Sequence, residues 1–302
     1  MKKVKEHSGV IVPMITPFTN NGEIDFGAVE KIINNFIQNG VYPFILGTTG
    51  ESTSISNKNK LAFANFVCNK FSDKTKVYVG IASNVITTSI ENANVFLKMG
   101  ASAVVSHLPT YYPLKPYHML NYFSELADSI NGPLIIYNIT ATTHMSIPLE
   151  VIEKLSYKKN IVGLKDSERD EERMHKAIEM WKDRNDFSHF IGWGTKCAEG
   201  LRKGSDGIVP STGNYSPKIY ADLYTAILNG DNTKADLFQE QADEISLVYQ
   251  KDRILSESLP ALKVMMENIG LCKSNVLPPF LKLKSDEEKI ILKKLHDINN
   301  NN

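Results

Sequence analysis

The sequence predicts an α/β fold, a (β/α)8 TIM barrel with a C-terminal helical extension. Short apolar runs rich in β-branched residues alternate with longer amphipathic stretches, and this alternation stops after about residue 230. The runs lie at 9–15, 43–46, 77–81, 103–106, 134–137, 161–165, 189–192 and 207–209. Eight strands are the number that closes a parallel barrel. We therefore assign residues 1–225 to a barrel that carries the active site and residues 226–302 to the extension.

The stretches between the runs carry helix signals. Asp25 is placed to cap a first helix with apolar residues at helical spacing, and Gly40 is placed to end it. A second helix is predicted at 56–71. A doubly wound sheet is the competing architecture, but the turn at 16–22 lacks the glycine-rich phosphate loop that usually follows its first strand. After the last run, three helices are predicted at 232–250, 258–270 and 286–298.

Composition and charge exclude several classes of partner. The chain has 302 residues, of which 42% are hydrophobic, and its 34 basic and 34 acidic residues give a formal net charge of zero. No global field would attract nucleic acid or anionic lipid, and no apolar run approaches the ~18–20 residues of a membrane span. We therefore expect a small-molecule substrate, with neither nucleic acid nor membrane as a partner.

The N-terminus and the cysteines bear on the compartment. The first apolar run is broken by Pro13 and Pro17 and lacks a small-residue cleavage site, so secretion is not expected. The three cysteines, Cys68, Cys197 and Cys272, have no CxxC spacing and favour reduced, buried thiols. We expect a cytoplasmic protein.

Candidate chemistry lies where the predicted strands end, because active sites of parallel barrels collect at the C-terminal ends of their strands. Several polar residues follow these runs directly. They are Thr48, Thr49, Tyr111, Tyr112, Tyr137, Lys165 and Ser211.

Lys165 ends a strand that should be buried on both faces. Burial disfavours the ammonium form and frees the lone pair, as a Schiff-base nucleophile requires. In the alternative interpretation, Lys165 pairs with Asp166 or Glu168 at a solvated loop start. The sequence around Lys165 leaves both open.

Two further features at the ends of other predicted strands add to this lysine. Tyr137 ends the preceding strand and could transfer protons to a substrate bound to the amine, although a core tyrosine bonded to backbone is the alternative. The turn Gly47-Thr-Thr-Gly-Glu51 offers closely spaced N–H groups and two hydroxyls, which suit a carboxylate but also occur in ordinary βα turns.

Taken together, these motifs resemble one known family. They are Gly47-Thr-Thr-Gly-Glu51, Tyr111-Tyr112-Pro113, Tyr137-Asn138, Gly163-Leu-Lys165 and Gly207 with Ser211-Thr212. In combination they are similar to the dihydrodipicolinate synthase and N-acetylneuraminate lyase family of class I, pyruvate-dependent aldolases. The resemblance runs from about Gly9 to Ile269.

The resemblance implies a mechanism through a covalent imine. Lys165 would form the imine with pyruvate or another 2-oxo acid, Thr48 and Thr49 would hold its carboxylate, and Tyr137 would move protons to and from the aldehyde oxygen. The imine itself is the electron sink, so no cofactor and no metal are expected. In the family, a tyrosine matching Tyr112 reaches into a neighbouring subunit, which implies a homo-oligomer, expected to be a homotetramer. Lys165, Tyr137, Thr48 and Tyr112 thus form the predicted catalytic set.

Two positions depart from the named enzymes. Thr142 stands where dihydrodipicolinate synthases carry an arginine for the carboxylate of aspartate semialdehyde, and Thr195 lies where sialic acid lyases place an acidic pair. A threonine cannot make the bidentate pair of an arginine. The remaining pocket is neutral and hydroxylated, which favours a 2-keto-3-deoxy sugar acid or a similar 2-oxo acid. The predicted substrate-binding residues are Thr48, Thr49, Tyr111, Thr142, Gly192, Thr195, Val209 and Ser211.

The function expected is therefore a Schiff-base lyase or aldolase that makes or cleaves a C–C bond between pyruvate and an aldehyde. The alternatives on the same scaffold are dihydrodipicolinate synthase in lysine biosynthesis, N-acetylneuraminate lyase and a sugar-acid dehydratase. An alternative of another class is a ligand-binding barrel without activity, since a fold alone does not prove chemistry.

Overall fold

The computed structural model describes residues 5–301 and forms a closed barrel of parallel strands. The strands are β1 (Gly9–Pro13), β2 (Tyr42–Ile45), β3 (Tyr78–Gly80), β4 (Ala103–Ser106), β5 (Leu134–Asn138), β6 (Ile161–Asp166), β7 (Ser188–Ile191) and β8 (Gly207–Ile208). Each strand pairs with the next along the chain, and β8 pairs with β1. The predicted fold class is confirmed.

Helices surround the barrel and continue beyond it. Those that follow the strands are α1 (Phe26–Gln38), α2 (Asn57–Phe71), α3 (Ile86–Lys98), α4 (Pro116–Asp128), α5 (Thr140–Thr143), α6 (Leu149–Leu155), α7 (Glu171–Trp181), α8 (Cys197–Lys203) and α9 (Pro217–Leu228). The C-terminal helices are α10 (Asn232–Gln250), α11 (Leu255–Asn268) and α12 (Ser285–Asn301). The predicted boundary at residue 225 falls inside α9, and it stays a prediction. None of the helices within residues 5–301 combines the length and apolar character needed to cross a membrane.

Local signals set most element ends. The Asp25 carboxylate accepts a hydrogen bond from the Ala28 amide at 3.0 Å, as expected of the α1 cap. Strand β2 ends one residue earlier than expected, because Leu46 has a φ of 56°, which extended backbone does not allow.

The core has two layers because each strand alternates its side chains between the barrel interior and the helices. Side chains such as Ile11, Phe44 and Ile135 fill the interior, whereas Val12, Ile45 and Ile136 pack against the helices; these two sets form separate clusters. Glycines close the ring: Gly9 pairs with Gly207, and a Cβ on Gly207 would lie 2.4 Å from the Gly9 carbonyl oxygen. The narrow interior leaves the strand ends as the place for polar groups.

The C-terminal extension is fastened to the barrel by a buried ion pair. Lys263 on α11 pairs with Glu51, which directly follows the Thr48-Thr49-Gly50 turn, and both side chains are almost fully buried. The ammonium also donates to the Asn275 carbonyl oxygen at 2.8 Å, and the second carboxylate oxygen of Glu51 accepts from the Leu277 amide at 2.8 Å. The turn after β2 is thus held from outside the barrel.

Removing one partner of this pair should destabilise the protein strongly. Lys263→Met leaves the Glu51 charge buried without its cation, and we expect the free energy of unfolding to fall by about 3–5 kcal/mol in urea denaturation. The double variant Glu51→Gln with Lys263→Met should recover most of the loss. Lys218→Met breaks the exposed Lys218–Asp222 pair on α9 and serves as the control, with a change below about 1 kcal/mol. Equal losses for the two single lysine variants would contradict this role.

Candidate active site

Lys165 projects into the barrel interior from β6, between Tyr137 on β5 and Phe190 on β7. Its side chain is buried, and Nζ lies 3.7 Å from the centroid of the Tyr137 ring and 5.0 Å from that of Phe44. Burial lowers the pKa of Lys165, and the contact with Tyr137 opposes this only in part. A small apolar cavity of the barrel interior borders the amine. The surroundings favour the neutral, nucleophilic form.

The other buried lysines of residues 5–301 have acidic partners. Lys5 donates to Asp206 at 2.8 Å and to two backbone carbonyl oxygens, and Lys263 pairs with Glu51. Lys165 has aromatic faces beside it and makes no ion pair within the described part of the chain. A buried amine without a carboxylate is costly to protonate, so this lysine is the one suited to covalent chemistry.

The alternative in which Lys165 pairs with Asp166 or Glu168 is wrong. Asp166 accepts from Arg173 Nε at 2.8 Å, and Asn138 Nδ2 donates to both Asp166 and Glu168 at 2.8 Å. Successive side chains of a strand point to opposite faces, so Asp166 lies behind β6 while Lys165 lies inside the barrel. The carboxylates form a cluster with Arg173 on the outer side.

Tyr137 is buried beside the amine and faces two other rings. Its ring lies edge-on to Phe44 and His107, with centroid distances of 6.5 and 6.2 Å. Its hydroxyl donates to no backbone carbonyl within residues 5–301. The arrangement found is thus a tyrosine ring next to the amine of Lys165.

The turn after β2 presents unused donors. Thr49 is buried and Thr48 is half-buried, and in the described residues neither the amide nor the hydroxyl of either threonine makes a hydrogen bond. The Thr16 hydroxyl donates to the Gly50 carbonyl oxygen at 2.7 Å, and the Lys263–Glu51 pair fixes the next residue. Two fixed amides with two hydroxyls make a site for an anion such as a carboxylate.

The structure places the other predicted substrate-binding residues in different surroundings. Val209 is buried in the interior cluster, and the Gly192 amide donates to the Asp166 carbonyl oxygen at 2.7 Å. The Thr195 side chain is exposed, in a short turn of helix at Gly194–Lys196. Thr142 lies on α5, and its Oγ1 is buried without a partner in residues 5–301. These contacts do not assign a role to any of them.

Ser211 is engaged elsewhere. Its hydroxyl lies 2.8 Å from the hydroxyl of Tyr249 on α10, which also contacts Thr212 Oγ1 at 3.0 Å. A substrate that binds to the Ser211 hydroxyl would therefore share this hydroxyl with Tyr249 of the extension.

Tyr111 and Tyr112 lie on the loop after β4 and are the most exposed aromatic pair at this rim. Their rings pack edge to face at 4.9 Å, and 78% and 71% of their surfaces are exposed. The two adjacent rings form an exposed aromatic patch on the described chain.

Sequence analysis missed two residues of the site. His107, directly after β4, faces Tyr137, and Asn138 joins Asp166 to Glu168 behind the strand. Strand alternation could have indicated His107, because Val105 two residues earlier points into the barrel. The role of Asn138 depends on Arg173, which α7 brings back to β6. No local signal in the sequence predicts this approach.

An acidic cluster with one histidine lies outside the barrel, at Glu171, His175 and Glu199. Lys196 Nζ already lies 2.7 Å from Glu199 and 3.1 Å from Glu171. The hydrogen bond from Lys196, followed by that from His175, lowers the pKa of Glu199. This cluster is a surface ion-pair network between α7 and α8, on the outer side of the barrel.

Comparison with known proteins finds one family along the chain. The model of the dihydrodipicolinate synthetase family matches residues 6–298. A 4-hydroxy-tetrahydrodipicolinate synthase of Staphylococcus haemolyticus is 26% identical over 285 residues, covering 94% of each chain. The protein of Escherichia coli K12 named "Probable 2-dehydro-3-deoxy-D-pentonate aldolase YjhH" is 26% identical over 290 residues, covering 95% of each chain.

A solved structure of this family has the same fold. The crystal structure of YagE, a prophage protein of the dihydrodipicolinic acid synthase family from E. coli K12 in complex with pyruvate, superimposes with a TM-score of 0.92 at 25% identity. The match covers 97% of this chain and 99% of YagE. The protein therefore belongs to the dihydrodipicolinate synthetase family and is an aldolase or lyase built on its barrel.

Proposed function

We propose that the protein is a Schiff-base aldolase that makes or cleaves the C–C bond between pyruvate and a hydroxylated aldehyde, so that its product or substrate is a 2-keto-3-deoxy sugar acid. The observation that carries the proposal is the buried Lys165 amine, which has no carboxylate partner in the described chain and lies 3.7 Å from the Tyr137 ring centroid. A barrel that only bound a ligand would not need a nucleophile in this costly position.

The chemistry begins at the ketone carbon of pyruvate. The Lys165 nitrogen adds to it, the carbinolamine loses water, and a protonated imine forms. Loss of a proton from the methyl carbon gives the enamine, whose carbon attacks the aldehyde. Tyr137 supplies the proton that the new alkoxide needs and takes it back in the cleavage direction. Water then releases the product and restores the amine, and the imine supplies the electron sink without a separate cofactor.

The turn at Thr48 and Thr49 is proposed to hold the carboxylate of pyruvate. Its unused amides and hydroxyls follow β2, which lies across the barrel from β6. Hydrogen bonds from fixed donors orient the ketone toward the amine before reaction. Thr48 would also take part in the proton transfers served by Tyr137.

The aldehyde is proposed to be neutral and hydroxylated because hydroxyl side chains follow β2, β5, β7 and β8 at the rim. Thr142 presents a hydroxyl where an arginine would recognise a second carboxylate, and Arg173 is neutralised by Asp166 and Glu168. The sugar-acid aldolase name of the E. coli relative supports this choice. The synthase name of the S. haemolyticus relative keeps aspartate semialdehyde as the competing substrate.

We place the enzyme in the cytoplasm. Cys68, Cys197 and Cys272 are unpaired and buried, and burial raises the pKa of Cys68 and Cys272 to about 12. Unreactive thiols of this kind support a reducing compartment.

Pyruvate with borohydride should label Lys165. We expect one reduced pyruvyl group per chain in mass spectrometry, mapped to Lys165 and absent from Lys165→Ala. Because the pKa of Lys165 is lowered, more of the amine is unprotonated at neutral pH than for an ordinary lysine, so labelling should proceed there. Lys218→Ala, on an exposed lysine, is the control that should label fully. A folded wild-type protein that takes no label would overturn the mechanism.

The preference of the enzyme among aldehydes should reflect the neutral side chains of the rim. With pyruvate present, kcat/KM for glyceraldehyde should exceed that for aspartate semialdehyde by at least about tenfold, since Thr142 cannot pair with the second carboxylate. Thr142→Arg should narrow or reverse this ratio, whereas Thr142→Val, which only removes the hydroxyl, should not raise activity toward aspartate semialdehyde. Wild-type activity confined to aspartate semialdehyde, or to sialate cleavage, would reject the sugar-acid assignment.

The assembly is proposed to be a homotetramer in which Tyr112 completes a neighbouring site. Sedimentation should therefore show a species of four times the mass of one chain. Tyr112→Phe should lower kcat while leaving that species unchanged, because only a hydroxyl is lost. Tyr117→Phe, at another exposed tyrosine, is the control and should leave kcat unchanged. An active monomer would contradict the proposal.

A further inference from the structure

His107 belongs to the inner face of the barrel. Along β4 the side chains of Ala103 and Val105 lie in the interior cluster, whereas Val104 packs toward the helices. Continuing the alternation by two residues brings His107 to the inner side, where its ring lies edge-on to Tyr137 at 6.2 Å. The histidine thus stands at the strand end next to the proposed proton carrier.

The hydrogen bond of His107 determines which ring nitrogen carries the proton. Nδ1 lies 2.7 Å from the carbonyl oxygen of Leu108. Because a carbonyl oxygen can only accept, Nδ1 must donate, and in the neutral ring Nε2 is then left with a lone pair. The short bond to the adjacent backbone also fixes the ring plane.

Nε2 has no donor in the part of the chain that the structure describes. His107 is half-buried, so part of the residue is accessible. Burial lowers the pKa of His107, and the hydrogen bond to the Leu108 carbonyl oxygen opposes this only in part. The ring therefore stays neutral at neutral pH and keeps an acceptor directed by a fixed tautomer.

We propose that His107 is a specificity-determining residue whose Nε2 accepts a hydrogen bond from a hydroxyl of the aldehyde portion of the substrate. The inference rests on the proposed aldolase function and deepens it by naming a residue that reads the hydroxyl. The pyruvate portion is held by Lys165 and the Thr48-Thr49 turn, and Tyr137 serves the aldehyde oxygen. His107 lies next to Tyr137 and contacts the part of the aldehyde beyond its carbonyl group.

The chemistry of the acceptor selects the substrate class. A neutral imidazole nitrogen with a lone pair binds a hydroxyl well, cannot pair with a carboxylate, and is left unsatisfied by an alkyl chain. Threonine hydroxyls at the same rim can donate or accept and do not impose this choice. A fixed acceptor beside the reacting carbonyl therefore discriminates hydroxylated aldehydes from their alkyl counterparts.

The test compares two aldehydes of equal chain length, glyceraldehyde and propanal, in condensation with pyruvate. His107→Leu removes the acceptor and keeps an apolar side chain, while His107→Gln offers an amide oxygen at a similar reach. In His107→Leu the ratio of kcat/KM for glyceraldehyde over propanal should fall about tenfold, the loss expected for one hydrogen bond, and His107→Gln should restore much of it. His296→Gln, on the exposed face of α12, is the matched control and should keep the wild-type ratio.

Borohydride labelling with pyruvate separates the failure of this inference from that of the proposed function. All His107 variants should label at Lys165, because imine formation does not use the aldehyde site. If His107→Leu loses activity toward both aldehydes equally, His107 is not a reader of hydroxyl groups, and the proposal is overturned while the aldolase function stands. If the wild-type protein labels but condenses neither aldehyde, the proposed function fails, and the reading of His107 fails with it.

Discussion

Closure of eight parallel strands is the constraint on which the rest of the structure depends. The ring closes where Gly9 and Gly207 lie side by side, at a point where no side chain fits. Once the ring is closed, layers of side chains fill the interior, and alternate residues of the strands point into it. The polar residues that end β2, β4, β5 and β6 then meet at one rim, although they are dispersed over more than a hundred residues of sequence.

A charge in the closed interior costs free energy, and the buried lysines differ in whether an acidic partner compensates that charge. Lys5 and Lys263 are matched with Asp206 and Glu51, so both can remain ammonium ions and serve as structural ties. Lys165 is buried without a carboxylate partner in the described chain, which disfavours its charged form. Whether a buried lysine serves as a structural ion-pair partner or as a nucleophile thus depends on the atoms around its nitrogen and not on burial itself.

The extension is part of the site's support. Lys263 holds Glu51 directly after the Thr48-Thr49 turn, and Tyr249 engages the hydroxyls of Ser211 and Thr212 after β8. The donors proposed for the carboxylate of pyruvate therefore depend on helices that contribute no strand to the barrel. On the other side of the rim, Asn138 and Arg173 take up the carboxylates that would otherwise neutralise the amine.

The sequence by itself determined the number of strands, the helices of the extension and the position of Thr48, Thr49, Tyr137 and Lys165 at strand ends, because hydrophobic periodicity and strand ends are local properties. It did not determine that Lys165 lacks a carboxylate partner, since the neighbours Asp166 and Glu168 were equally good candidates until the pleat of β6 and the return of Arg173 removed them. It also did not reveal the tautomer of His107 or the tie between Glu51 and Lys263, which lie 212 residues apart. Only the tertiary structure decides such pairings, because the cost of a buried charge depends on which atoms surround it in space.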